Sequence, residues 1–162
     1  MTTIRRAAAD DWVAARDVRL RALADAPGVF ASTLAREQAY DEAEWRRRVS
    51  THAWFLAGDV GVAVGVPEPD DPDGRHLVGM WVAPEYRGHG VADALVDAVV
   101  GWARDEGAVR LALWVVDGNP RARGFYERHG FVATGERGPL PSDPAVTESR
   151  MTRSISSGRG TR

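Results

Sequence analysis

The run Val82-Ala83-Pro84-Glu85-Tyr86-Arg87-Gly88-His89-Gly90-Val91-Ala92 has the residue types to hold an anion. A strand stopped by Pro84, a glycine-bearing loop and an immediate amphipathic helix would set several backbone N–H groups at the positive end of a helix dipole. Gly88 and Gly90 would let that backbone approach a phosphate with no Cβ in the way. The glycines alone fit an ordinary strand-to-helix turn equally well. The run is not a dinucleotide fingerprint, because Asp93 stands at the third glycine position. A P-loop is excluded as well, since it needs a lysine and all 21 basic residues here are arginine. The chain has no cysteine, which removes disulfides, thiolate zinc sites and cysteine nucleophiles. His52 and His129 lack ligand-spaced partners, so no metal site is expected.

The elements that must position this loop follow from periodicity. Thr3-Ile4-Arg5 reads as a short strand, and Asp10 or Asp11 can cap a helix carrying Trp12, Val13, Val18, Leu20 and Leu23, which Pro27-Gly28 ends. A second helical region is expected from Ser32 to Val49, with Leu34, Tyr40 and Trp45 facing inward and Asp41 as a candidate cap. Ala53–Ala57 and Val60–Val66, joined through Gly58-Asp59, read as antiparallel strands. Glu68–Asp73 is a polar loop, read as a solvated tip rather than a lure for a cationic amine. His76–Val82 is the fourth strand, Gly90–Arg104 a helix with Val91, Leu95, Val99 and Trp102 on one stripe, and Val109–Val116 the fifth strand. Asn119-Pro120 then opens a helix, with asparagine at the cap and proline in the first turn. Strands from Phe131 and over Ala145–Thr152 follow. The order predicts an α/β (mixed α+β) domain over residues 1–153, a mixed and mostly antiparallel sheet flanked by about four helices. Residues 154–162 read as a small, polar, disordered tail.

The chain resembles the GNAT superfamily of acetyl-CoA-dependent N-acyltransferases. Their pyrophosphate loop, Arg/Gln-x-x-Gly-x-Gly/Ala, is matched by Arg87-Gly88-His89-Gly90-Val91-Ala92, and its Val-x-Pro lead-in by Val82-Ala83-Pro84. A second signature, Asn-x-x-Ala-x-x-x-Tyr-x-x-x-Gly-Phe, is complete in Asn119, Ala122, Tyr126, Gly130 and Phe131. The likeness is densest from Leu77 to Phe131; the first fifty residues agree in architecture rather than motif.

The resemblance implies a fold whose fourth and fifth strands splay, with pantetheine lying between them like an added strand. It implies acetyl-CoA as co-substrate, with backbone near Met80 and Val82 on the pantetheine amides. Amides across Arg87, Gly88, His89, Gly90, Val91 and Ala92 would lie on the pyrophosphate, and Asn119 would touch the cofactor from the other side. The Arg87 side chain is either a phosphate clamp or solvated, the clamp being preferred. Tyr126 is implied as the general acid, since a phenol of pKa about 10 can protonate a departing thiolate; the competing role is a core tyrosine. Some relatives carry a base glutamate five residues before the motif asparagine, where this chain has Trp114. Others carry one eleven residues before the loop arginine, where this chain has His76. Imidazole titrates near neutral pH, so His76 is a candidate general base, against an edge-strand histidine with water relaying the proton. Phe30, Trp81 and Trp114 are candidate acceptor contacts, the two tryptophans otherwise serving as core.

Composition limits the partners. The chain has 162 residues, 44% of them hydrophobic, and a net charge of −2. No surplus of positive charge favours nucleic acid or a membrane surface, and no apolar run is long enough to span a bilayer. A cytoplasmic enzyme is expected, because the N-terminus lacks a secretory pattern. The expected activity is acetyl transfer to a primary amine of a small or amino-acid-like molecule. Trp114 in place of a base glutamate and the near-neutral charge weigh against a protein, peptide or aminoacyl-tRNA acceptor. A non-catalytic acyl-CoA sensor is the rival from another class, and Tyr126 speaks against it. Homodimerisation is expected by analogy only.

Overall fold

Among the described residues, seven strands and five α-helices follow one another as the sequence pattern predicts, with one helical region divided. The computed structural model describes residues 3–155. The strands are β1 (Ile4–Arg6), β2 (Ala53–Ala57), β3 (Gly61–Pro67), β4 (Gly74–Val82), β5 (Arg110–Val116), β6 (Val132–Leu140) and β7 (Asp143–Ser154). The helices are α1 (Trp12–Asp25), α2 (Leu34–Gln38), α3 (Glu42–Thr51), α4 (Val91–Asp105) and α5 (Pro120–Arg128). The sheet runs β1-β2-β3-β4-β5-β7-β6, antiparallel throughout except for the parallel β4–β5 pair.

The expected helical region from Ser32 to Val49 is two helices divided at the candidate cap Asp41, so five α-helices stand where about four were expected. Thr33 caps α2 by accepting from the Arg36 N–H, and Asp41 caps α3 by accepting from the Glu44 N–H at 2.9 Å. An N-cap needs extended backbone, and Asp41 has it at φ −84° and ψ 178°, so the first helix cannot continue through it. In α1 the buried positions are Ala15, Val18, Ala22 and Leu23; Val13 lies off that stripe and is exposed. At the other end, the expected tail loses its first two residues to the sheet: Ser154 ends β7, and buried Ile155 donates its N–H to the Val109 carbonyl. The remainder of that tail lies outside the described residues.

Two cores sandwich the sheet. One packs Leu95, Val96, Val99 and Val100 of α4 against Leu111, Leu113 and Met151. The other packs Val18, Leu23, Trp45 and Val49 of α1 and α3 against Trp54, Leu56 and Val62. Neither core closes the seam between β4 and β5. Those strands pair only at Gly74–Arg110, Arg75–Leu111 and His76–Ala112, and from Leu77 onward they part. A β-bulge helps turn β4 away: Val62 faces Trp81 and Val64 faces Val78, so β4 carries one extra residue between them. Gly79 sits there at φ +65°, a left-handed backbone that glycine accepts without strain.

Candidate active site

At the α4 end of the seam the site is made of backbone. Gly88 and Gly90 have φ of +81° and +83°, and a Cβ built on either would meet nothing within 4 Å. Gly90 is the N-cap of α4 and provides no side-chain cap, so the first N–H groups of the helix are left to an outside acceptor. An open cradle of amides at a 15-residue helix is the geometry a pyrophosphate requires, and the residues present fit one. Arg87 departs from the expected clamp. Its Nε donates to the Val82 carbonyl and an Nη to Asp25, both at 2.9 Å, so the guanidinium braces the loop against β4 and α1.

Along the seam a cavity of about 120 Å³ is lined by Phe30, Met80, Trp114, Asn119, Ala122 and Tyr126, among others. Three residues of the second motif, Asn119, Ala122 and Tyr126, therefore come together here with Phe30, Met80 and Trp114. Asn119 caps α5 by accepting from the Ala122 N–H at 3.2 Å, which fixes the start of the helix and hence the heading of Tyr126 two turns on. The Tyr126 ring is packed edge-on between Phe125 and Phe131. Its hydroxyl has no hydrogen-bond partner among the described residues. Burial pushes the phenol well above its ordinary value, so the hydroxyl carries its proton near neutral pH.

A larger cavity of about 450 Å³ adjoins the first, and Phe30, Gly79 and Trp114 wall both. His76 lines it. The His76 Nδ1 is 2.8 Å from Glu68 Oε2, and Glu68 also accepts from Arg150. A carboxylate can only accept, so Nδ1 donates its N–H to Glu68 and Nε2 is the ring nitrogen left for a substrate. Glu68 is thus turned inward, contrary to its reading as part of a solvated tip. Glu148 also lines this cavity, opposite Val116 in the β5–β7 ladder, and burial raises its carboxyl above the usual value.

The helical wall of the cavity is charged. Arg19 reaches it from α1 and Arg48 from α3. Behind them lies Glu37, its side chain only 1% exposed. Arg19 grips Glu37 with Nε and Nη2, each at 2.9 Å, and Arg48 adds a contact at 3.1 Å. Burial alone would raise the Glu37 carboxyl, but the Arg19 hydrogen bond and the charges of both arginines hold it below its usual value. The guanidinium of Arg48 also lies over Trp45 and Trp54, and that of Arg19 over Phe30 at 5.0 Å.

Trp81 is corrected as an acceptor contact, since it lines neither cavity. It is buried under α1, where its indole N–H donates to Asp25 at 3.0 Å. That bond, with help from Arg87, holds the Asp25 carboxyl below its usual range. The Val82 side chain lies in the α4 core, which leaves only its backbone for a ligand. Sequence reasoning missed Arg19, Glu37, Arg48, Gly79 and Glu148, and set Glu68 aside as part of a solvated tip. Only Gly79, a glycine inside a strand pattern, carried a local signal.

A profile of the acetyltransferase (GNAT) family matches residues 17–131. Rat N-acetyltransferase 8F1 is 36% identical over 81 residues, which are 48% of this chain and 37% of that protein. The mycothiol acetyltransferase of Propionibacterium freudenreichii is 32% identical over 122 residues, 67% of this chain and 39% of that protein. The chain spans about two fifths of the length of these curated relatives. Among solved structures, a GNAT superfamily phosphinothricin acetyltransferase from Sinorhizobium meliloti in complex with AcCoA shares the fold. Its TM-score is 0.76 over 99% of this chain and 92% of that one, at 20% identity. No helix among the described residues is long and apolar enough to cross a membrane.

Proposed function

The chain belongs to the GNAT acetyltransferase family, and from that premise we propose that it moves acetyl from acetyl-CoA to the primary amine of a small or amino-acid-like molecule, by direct attack in a ternary complex. Acetyl-CoA supplies the activated thioester and leaves as the thiol. The amides from Gly88 to Ala92 hold its pyrophosphate, the free edge of β4 near Met80 takes the pantetheine, and Asn119 flanks it. His76, oriented by Glu68, takes a proton from the acceptor ammonium so that the nitrogen can attack. Tyr126 gives its proton to the sulfur. An N–C bond forms and a C–S bond breaks. The ammonium loses one proton to His76 before attack and a second as the amide forms; the second replaces the proton that Tyr126 gave to the sulfur, and the first passes from His76 to water, so the exchange balances.

One observation carries this reading. The open β4–β5 seam joins a cavity holding Tyr126 to a cavity holding His76, with Trp114 and Phe30 in the wall of both. The second cavity, at about 450 Å³, has the size of a small-molecule site and is walled on its helical side by Arg19 of α1, Phe30 and Arg48 of α3, which favours a compact acceptor over a folded protein. A panel of primary amines with acetyl-CoA, read by release of the CoA thiol, is the test. Binding of acetyl-CoA with no thiol released by any amine would make the chain a sensor and end the enzymatic reading.

A further inference from the structure

The charged wall of the larger cavity is out of balance. Two guanidinium groups face the cavity and a single carboxylate lies behind them, so one positive charge has no protein counterpart there. The arginines are well enclosed, at 11% and 19% side-chain exposure, where an uncompensated charge is costly. A clamp that served only to join α1 to α2 would need one arginine for one glutamate. The geometry of Arg19 is also directional. One edge, Nε and Nη2, is committed to Glu37, and one face lies on Phe30. Its Nη1 has no hydrogen-bond partner among the described residues and lies 3.4 Å from where a Cβ on Gly79 would be. Gly79 walls both cavities, so this free donor stands at their junction.

The remaining titratable groups around the cavity reinforce the polarity. On the strand side, Glu68 balances His76 and Arg150, and Glu148 is left as a carboxylate with no side-chain partner among the described residues. On the helix side His52 adds no charge of its own, because burial and then the charges of Arg48 and Arg47 push its imidazole below the usual value. The cavity is therefore cationic at α1 and α3 and anionic at β7.

We propose that the acceptor is a zwitterion, an amine bearing a carboxylate, whose carboxylate sits on the free edge of Arg19 beside Arg48 while its ammonium points toward His76 and Glu148. This rests on the acetyl-transfer reading and narrows it. A guanidinium edge offers a carboxylate charge-assisted hydrogen bonds, and Phe30 and Trp54 keep water from competing for them.

The test compares matched acceptors on the parent protein: methionine, methioninamide and 3-(methylthio)propylamine, with the phenylalanine series as a second set. The expected result is a kcat/KM at least about thirtyfold higher for each amino acid than for its amide or decarboxylated amine, the scale of losing one partner of an enclosed charge pair. The carboxylate lacking an amine, 4-(methylthio)butanoate, should inhibit competitively against the amino acid. Arg19→Gln should bring the acid-to-amide ratio within about threefold of one, chiefly through KM. Because that change leaves Glu37 with Arg48 as its one remaining arginine, Arg19→Gln combined with Glu37→Gln is made in parallel, and a melting curve checks that it folds. Equal use of neutral amines by the parent, or a carboxylate preference that survives the double substitution, would overturn the assignment. Thiol release from no amine at all would instead overturn the acetyl-transfer reading beneath it, so the two failures are distinct.

Discussion

At the α4 end of the β4–β5 seam the working parts are main chain: two left-handed glycines, the free N–H groups of a helix and the unpaired edge of a strand. At the opposite end they are charged side chains held in place by other charged side chains, Arg19 and Arg48 by Glu37 and His76 by Glu68. On the proposed reading the first construction holds the pyrophosphate of acetyl-CoA and needs no particular side chain. The second recognises whatever is particular to this one. A change of side chain therefore does little at the loop unless it alters the backbone, and does much in the helical wall even when the backbone is untouched.

The contrast can be broken or sharpened by experiment. The largest effect is expected at Tyr126, where the halves meet. Tyr126→Phe keeps the ring between Phe125 and Phe131 and removes only the proton donor, so kcat should fall roughly a hundredfold to ten-thousandfold with acetyl-CoA affinity little altered. Single-turnover acetyl transfer is the measurement, and an undiminished rate would demote Tyr126 to packing.

Next comes the wall. Glu37→Gln leaves two enclosed guanidinium groups facing a neutral amide and should cost about 3–5 kcal/mol of unfolding free energy in urea. The acid dependence should change with it. The folded Glu37 carboxyl lies below its unfolded value near 4.5, so its stabilisation is complete above that pH and is lost as the pH falls through the lower folded value. The variant should lack this part of the acid destabilisation. A variant as stable as the parent at pH 7 would show that the network does not hold α1, α2 and α3 together.

His76→Gln should reduce the rate near neutral pH by roughly a hundredfold, leaving acetyl-CoA binding intact. A rate within a few-fold of the parent would assign proton removal to water or to Glu148. The smallest effect is at the loop. Acetyl-CoA at a hundred times its Kd should stabilise the parent by about 2.7 kcal/mol. Gly90→Val should abolish that shift, because a β-branched residue cannot hold φ +83°. Retention of the full shift would move the pyrophosphate elsewhere.

The two halves also differed in how far they could be read in advance. The loop, the Asn119 cap and Tyr126 depend on spacings within one element or across one turn, and such spacings act through local dihedral angles. Glycine at positions 88 and 90, and asparagine three residues before the N–H it caps, do the same work wherever the rest of the chain goes. The order of elements was equally legible, because periods of two and 3.6 residues are local as well. The exception on the first half is Arg87. Its motif position was plain, but its side chain goes to Asp25, 62 residues away, beside Trp81.

Around the larger cavity almost every decisive contact is of that second kind. Arg19 and Glu37 are 18 residues apart, Arg150 and Glu68 are 82 apart, and the Ser142 hydroxyl reaches the Phe30 carbonyl across 112 residues. Glu68 lies in a stretch of proline and aspartate that is solvent-like by composition. It turns inward because β7 joins the sheet next to β5 and brings Arg150 over the end of β4. A charged side chain takes its partner from whatever packing delivers within about 3 Å, and packing is settled by the order of strands in the sheet and the angle of helices upon it. Backbone conformation at a turn is decided by the residues in the turn, whereas the company a buried charge keeps is decided by the whole fold.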